Sequence, residues 1–274
     1  MGPLDGSAQL RVNPHGQIEP LPLKQRLKNG HVPVGTMVFE FFVPGMAQMA
    51  RAVGVDFLMY DTEHSGADIE AIKAQCAACN GTGVVPLVRV PGFHYHFVAR
   101  ALGAGAHGIM MPMVADAEQA RALVSWSRYP PLGRRGAAFG VAHDGYLPGA
   151  PRDKIAASAE RTLVIAMIET PEGVANVDAI AAVDGVDVLW LGHFDLTNFM
   201  GIAGEFDHPD YLAAVDRIVA AAQRHGKTAA VMAGDEAWAR RYHGLGFRMF
   251  AYGLDAQLFQ RALAAGIGAV RALE

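Results

Sequence analysis

Short apolar runs rich in β-branched residues alternate along the chain with longer stretches whose apolar positions recur at helical spacing. The runs at 34–41, 57–60, 84–90, 108–112, 163–168, 188–191, 228–232 and 249–252 predict eight strands. Each is too continuously apolar to leave one face in water, so each is expected as a buried parallel strand. Helices are expected over 45–53, 68–79, 93–103, 117–127, 174–182, 211–225, 235–245 and 256–265. Asp68, Asp116 and Asp235 open three of them with a side-chain acceptor for the first free amides. Strand and helix in strict alternation give an α/β fold, and eight strands without a second domain predict a closed (β/α)8 TIM barrel. An open doubly wound sheet has the same alternation but gathers its site at one switch point, whereas polar residues end several different strands here. The expected division is an N-terminal extension and lead-in helix over 1–32 and a single barrel domain over 33–274. The aperiodic stretch 128–161 is expected as a lid or a subunit-contact loop.

Composition narrows the function classes. With 274 residues, 51% hydrophobic and 18% charged, the chain has ample core material and little charged surface, so a homo-oligomer is expected. The formal net charge of −4 provides no basic field for nucleic acid. Residues 1–19 lack the apolar segment of a secretory signal, and no apolar run approaches about 18 residues, so no membrane span is expected. Cys76 and Cys79 form a CxxC spacing inside a helical pattern, with no second pair to complete a zinc site. They read as reduced core thiols, and the compartment as cytoplasmic.

Candidate chemistry sits at the strand ends. Glu169 follows Leu163-Val164-Ile165-Ala166-Met167-Ile168, and Asp195 follows the run ending at Phe194. Two carboxylates closing consecutive strands suit the oxygen-ligand needs of a hard divalent ion, Mg²⁺ or Mn²⁺, with positions left for water and a chelating substrate. Asp61, Glu63 and His64 cluster after the second strand, where a histidine beside carboxylates is a candidate general base. Arg89 ends the third strand, a costly place for a guanidinium unless it meets an anion such as a substrate carboxylate or enolate. His94 and His96 have no acidic neighbours and are expected on the surface.

The segments Tyr60-Asp61-Thr62-Glu63-His64, Val88-Arg89-Val90-Pro91, Arg128-Tyr129-Pro130-Pro131-Leu132-Gly133-Arg134-Arg135-Gly136, Ile168-Glu169-Thr170 and Leu191-Gly192-His193-Phe194-Asp195-Leu196 together resemble the HpcH/HpaI aldolase family over about 35–263. The resemblance implies a TIM-barrel, metal-dependent class II pyruvate aldolase. Such a lyase cleaves or forms 4-hydroxy-2-oxo acids, to or from pyruvate or a close 2-oxo acid and an aldehyde, through a metal-stabilised enolate, in aromatic or sugar-acid catabolism. It further implies Glu169 and Asp195 as ligands of Mg²⁺, Mn²⁺ or Co²⁺, and Arg89 on the pyruvate carboxylate and enolate. His64 would belong to the acid/base apparatus, and Asp61 would orient the water and histidine network. A trimer or hexamer is implied as the assembly. The alternative is a decarboxylase or acyl-CoA lyase using the same metal-enolate chemistry, for which Arg134 and Arg135 offer the one basic rim.

This chain departs from the family pattern in three places. Gly103 stands where an aspartate often pairs with the active-site histidine, which leaves open whether His64 or a water on the metal takes the proton. His193-Phe194 replaces a small Pro-Ala pair, and Met167 a frequent Gln, so larger and more apolar side chains are expected to narrow the aldehyde pocket.

Overall fold

The computed structural model describes residues 10–12 and 18–273. Of the extension expected over 1–32, residues 1–9 and 13–17 lie outside the described residues. The remainder holds a short antiparallel pair, β1 (Leu10–Val12) with β2 (Ile18–Pro20), and the helix α1 (Leu23–Lys28).

Eight parallel strands then close into a barrel: β3 (Val34–Val38), β4 (Phe57–Asp61), β5 (Val85–Arg89), β6 (Gly108–Met111), β7 (Leu163–Ile168), β8 (Val188–Leu191), β9 (Thr228–Ala233) and β10 (Met249–Leu254). Each pairs with its sequence neighbour, and β10 closes on β3. The expected TIM barrel is therefore the fold. The three acidic caps are present, with Asp68, Asp116 and Asp235 accepting from the amides of Ala71, Gln119 and Trp238, each at 2.8 Å.

Strand periodicity sorts side chains between two cores. On β4, Phe57 and Met59 point into the barrel, while Leu58 and Tyr60 pack outward against the helices. Val85 and Leu87 on β5, and Leu163, Ile165 and Met167 on β7, share the inward register. At two residues per repeat, Asp61, Arg89 and Glu169 continue these inward series into the uppermost layer. The rim where strands end is thus polar because the inward register runs out of apolar residues there.

Three expectations need correction. The segment 128–161 is not a structureless loop, because α6 occupies Pro151–Arg161 behind a proline at its first turn. Arg135 is buried over the Tyr129 ring at 4.7 Å. The helix expected over 174–182 is two short helices, α7 (Pro171–Ala175) and α8 (Val177–Ala181), broken at Asn176, whose side-chain amide donates to the Ala115 carbonyl at 2.8 Å. Asp195 does not directly close a strand but lies in the first turn of an added helix, α9 (His193–Phe199). Cys76 and Cys79 are buried free thiols on α3 (Ile69–Cys79), and His94 and His96 are exposed, as expected. Among the described residues, no helix is long and apolar enough to cross a membrane.

Candidate active site

Asp61 and Arg89 are register partners across β4 and β5, both buried, and Arg89 Nε donates to Asp61 Oδ1 at 2.5 Å. Arg89 Nη1 also lies 3.2 Å from Glu63 Oε2, and the guanidinium stands 5.4 Å from the Phe39 ring. Asp61 accepts in addition from the amides of Glu63 and His64, at 3.2 and 2.8 Å. It therefore fixes both the guanidinium and the turn that carries His64. Its contact to His64 is to the backbone, where it anchors the loop that carries the imidazole.

The His64 ring is half-exposed at the cavity mouth, 3.7 Å from Glu63 Oε2 and stacked on Phe39 at 6.5 Å. Gly103 lies near the end of α4 (Tyr95–Ala104), the helix that runs back from β5 to the opposite rim. Nothing approaches its Cβ position within 4 Å. The acid beside the His64 ring is instead Glu63.

Glu169 is 2% exposed, and its Oε1 accepts from the Met113 amide at 2.6 Å. Burial pushes its carboxyl up to about 7, reinforced by the charges of Asp195 and Glu63 and opposed by the Met113 amide and by Arg89. Glu63 is raised too, again chiefly by burial, with Arg89 pulling the other way. Asp195 has no hydrogen bond or ion pair among the described residues. Gly192 separates the two acids, and a Cβ there would fall 2.5 Å from Glu169 Oε2, so only glycine lets the chain pass. Glu169 and Asp195 thus lie near enough for each to feel the other's charge, with no cation of their own, Arg89 being already engaged by Asp61 and Glu63. That oxygen-only donor set fits a hard divalent ion. Among the described residues no three His, Cys, Asp or Glu side chains gather as a metal cage, so such an ion would take its other ligands from substrate and water.

The cavity beside these groups has a volume of about 230 Å³. His64, Arg89 and Asp195 form its charged end, and Met37, Phe39, Met167, Trp190, Phe194 and Met232 much of the rest. Sequence patterns missed Phe39 and Asp255, and marked His193 only as a bulky replacement beside the aldehyde pocket. Asp255, buried at the start of α12 (Asp255–Arg271), accepts from the amides of Phe39, Glu40 and Phe41 at 3.1, 2.9 and 2.7 Å and so holds Phe39 over Arg89. An acid directly after the last strand was its only sequence signal. His193 is buried against Phe194, Phe206 and Trp238, and this desolvation pushes its imidazole down to about 4. Arg134 sits by the end of α5 (Ala117–Ser127), its amide donating to the Ser125 carbonyl at 2.7 Å, and thus at the far rim. With Arg135 buried, the pair provides no basic rim at the cavity.

The sequence pattern of the family described as HpcH/HpaI aldolase/citrate lyase matches residues 37–262. The chain is 36% identical over 219 residues to the 5-keto-4-deoxy-D-glucarate aldolase of Klebsiella pneumoniae subsp. pneumoniae, covering 80% of this chain and 85% of that protein. Among solved structures, an HpcH/HpaI aldolase from Desulfitobacterium hafniense DCB-2 superposes with a TM-score of 0.87 at 30% identity, covering 92% of this chain and 97% of that one. An HpcH/HpaI aldolase/citrate lyase family protein from Burkholderia cenocepacia J2315 gives 0.85 at 32%, covering 91% and 98%.

Proposed function

The chain belongs to the HpcH/HpaI aldolase/citrate lyase family, and from that premise we propose how its rim residues divide the work. It is a metal-dependent class II aldolase that cleaves 4-hydroxy-2-oxo acids. Glu169 and Asp195 would hold the divalent ion, Mg²⁺ or Mn²⁺ being the hard ions that suit two carboxylates. When bound, the ion withdraws electrons from the 2-oxo group and so stabilises negative charge developing beside it.

Arg89 binds the carboxylate of the 2-oxo acid with the donors that Asp61 and Glu63 leave free. Because Asp61 locks the guanidinium before substrate arrives, no reorganisation is needed as charge develops on the enolate. His64, at the mouth with Glu63 beside it, takes the proton of the 4-hydroxyl. The C3–C4 bond then breaks, the aldehyde leaves, and its bonding pair stays with the three-carbon fragment as the enolate. A proton delivered to C3 completes pyruvate. The relatives named for 5-keto-4-deoxy-D-glucarate support a 4-hydroxy-2-oxo acid as substrate, with pyruvate or a close 2-oxo acid as the enolate-side product.

The observation that carries this proposal is the pair of acids with no cationic partner of their own, Glu169 and Asp195, beside an arginine already locked in place. The test is pyruvate release from 4-hydroxy-2-oxo acids, coupled to lactate dehydrogenase. Activity should vanish after chelation and return with Mg²⁺ or Mn²⁺; full turnover by the stripped protein would overturn the metal assignment.

We also infer a homo-oligomer, with the trimer or hexamer of the resemblance as its expected form. Helix α12 leaves Phe259, Leu263, Ile267 and Val270 exposed at helical spacing, 41–66% each. Exposed Val34, Met49 and Val53 offer apolar surface near β3 and α2 (Met46–Ala52). Apolar stripes of this kind mark association surfaces. Light scattering should give a mass that is a multiple of 29.2 kDa.

A further inference from the structure

Around the cavity, one end does the acid–base and charge work assigned above and the other end is built differently. Met37, Met167, Trp190, Phe194, Met232 and Leu254 line it. Outside His64, Arg89 and Asp195, the only lining side chains among the described residues with hydrogen-bonding groups are His193, Gln257 and Trp190, whose indole offers a single donor. Among the described residues, no lysine and no second arginine lines the cavity, and neither does a serine, threonine or asparagine. An aldehyde bearing several hydroxyls or a carboxylate would therefore bury them without partners, which binding sites reject strongly. Methionine and tryptophan walls suit a flat ring, because thioethers adapt in shape and make favourable contacts with aromatic faces.

His193 is 5% exposed, and its ring nitrogens have no hydrogen bond among the described residues, although it lines the cavity. Three aromatic rings enclose it, with centroids at 4.5–5.6 Å. An imidazole with no partner in the protein, opening on a substrate cavity, is left to bond whatever occupies that cavity, water when it is empty and substrate when it is filled. Phe194 beside it is 58% exposed, a large ring standing at the mouth. As for size, an apolar cavity of about 150 Å³ accepts benzene, so 230 Å³ leaves room for a three-carbon oxo acid beside a ring.

We propose that His193 and Phe194 form the acceptor subsite, and that it selects an aryl aldehyde carrying one hydrogen-bonding substituent over a polyhydroxylated or acidic aldehyde. This rests on the aldolase assignment. In the synthetic direction C3 of the pyruvate enolate forms a bond to the aldehyde carbon, and the carbonyl oxygen takes a proton, so the step needs no redox partner. Phe194 packs on the ring and His193 meets its substituent.

The test uses the full-length protein with Mg²⁺ and pyruvate against 4-hydroxybenzaldehyde, benzaldehyde, glyceraldehyde and succinic semialdehyde. Exchange of the pyruvate methyl protons into D2O, followed by NMR, reports enolate formation without any aldehyde. With exchange present, kcat/KM should be at least tenfold higher for 4-hydroxybenzaldehyde than for glyceraldehyde or succinic semialdehyde; equal or higher values for either of those overturn the subsite alone. Absence of exchange overturns the aldolase assignment and the subsite with it. Phe194→Ala should lower kcat/KM for the aryl aldehydes about tenfold more than for glyceraldehyde. His193→Phe should abolish the preference for 4-hydroxybenzaldehyde over benzaldehyde, and His193→Gln should keep part of it. A preference that survives His193→Phe removes His193 from the subsite.

Discussion

The two rims of the barrel carry similar numbers of buried charges but settle them in opposite ways. At the rim where strands begin, the two acids that are largely buried are matched: Asp56 meets Arg26 and lies 3.3 Å from His31, and Asp187 meets Lys24 at 2.8 Å and Arg128 at 3.7 Å. Both acids also accept a strand amide, from Val34 and Val164 at 2.9 Å. At the rim where strands end, Arg89 is matched by Asp61 and Glu63, while Glu169 and Asp195 are left facing each other's charge. The larger cavity, about 780 Å³, lies at the matched rim and the smaller one at the unmatched rim. Chemistry therefore follows uncompensated charge, not cavity size: closed ion pairs hold the barrel together, and open ones await a ligand.

The largest effect should come from the open pair. Glu169→Gln or Asp195→Asn removes one of two oxygen ligands, so activity should fall on the order of a thousandfold, with loss of the response to added metal. The same change at the closed rim should do the reverse. Arg26→Gln leaves Asp56 short of a buried partner, at a cost of about 3 kcal/mol in urea unfolding, while kcat stays as in the parent. Loss of activity out of proportion to unfolding in Arg26→Gln would erase the contrast between the rims.

A pH experiment separates the rims next. Glu169 has its carboxyl raised from 4.5 to about 7, so the folded protein holds a proton there that the unfolded chain has released. Its contribution is fully favourable below about 4.5 and is lost as pH rises through about 7. The metal-free protein should thus be up to roughly 3 kcal/mol less stable on this account at pH 8 than at pH 4. Subtracting the same profile for Glu169→Gln isolates the effect, and a divalent ion at pH 8 should restore what is lost. Coincident profiles would show that Glu169 ionises freely.

Much of this contrast was legible in the sequence, and what was not has physical causes. Asp61, Arg89 and Glu169 were visible because strand periodicity carries a polar residue to the top of an apolar inward series. Asp195 was found in sequence but not in place, since α9 is too short and polar for helical periodicity to register. Helix α6 was hidden because only Ser158 of its eleven residues is buried, and a helix with no apolar stripe leaves no pattern. Phe39 and His193 owe their positions to loops held by Asp255 and to aromatic neighbours distant in sequence, which no local spacing encodes. Arg89 itself offers a smaller test. Arg89→Lys keeps the charge but not the fork that spans Asp61, Glu63 and substrate, so kcat/KM should drop about tenfold or more, equivalent to one charge-assisted bond of about 1.5–3 kcal/mol. Kinetics like the parent's would place the guanidinium outside the reaction.

The smallest expected effect is the one that decides whether the larger cavity matters. Arg248 and Lys227 line it, and both spend their donors on backbone carbonyls: Arg248 on His243 and Phe247 at 2.9 and 2.8 Å, Lys227 on Val183 at 3.3 Å. These carbonyls lie at or just beyond the C-terminal ends of helices and strand connections, where a cation is favourable by a few tenths of a kcal/mol to about 1 kcal/mol. Arg248→Gln and Lys227→Gln should therefore cost at most about 1 kcal/mol of stability each and leave aldol cleavage kinetics at the parental values. The double variant should behave additively, because neither side chain shares a bonding partner with the other. A fall in kcat/KM beyond about twofold would mean that the matched rim communicates with the catalytic one through the barrel interior, where Leu163, Ile165 and Met167 form a continuous inward file from the lower cavity to Glu169.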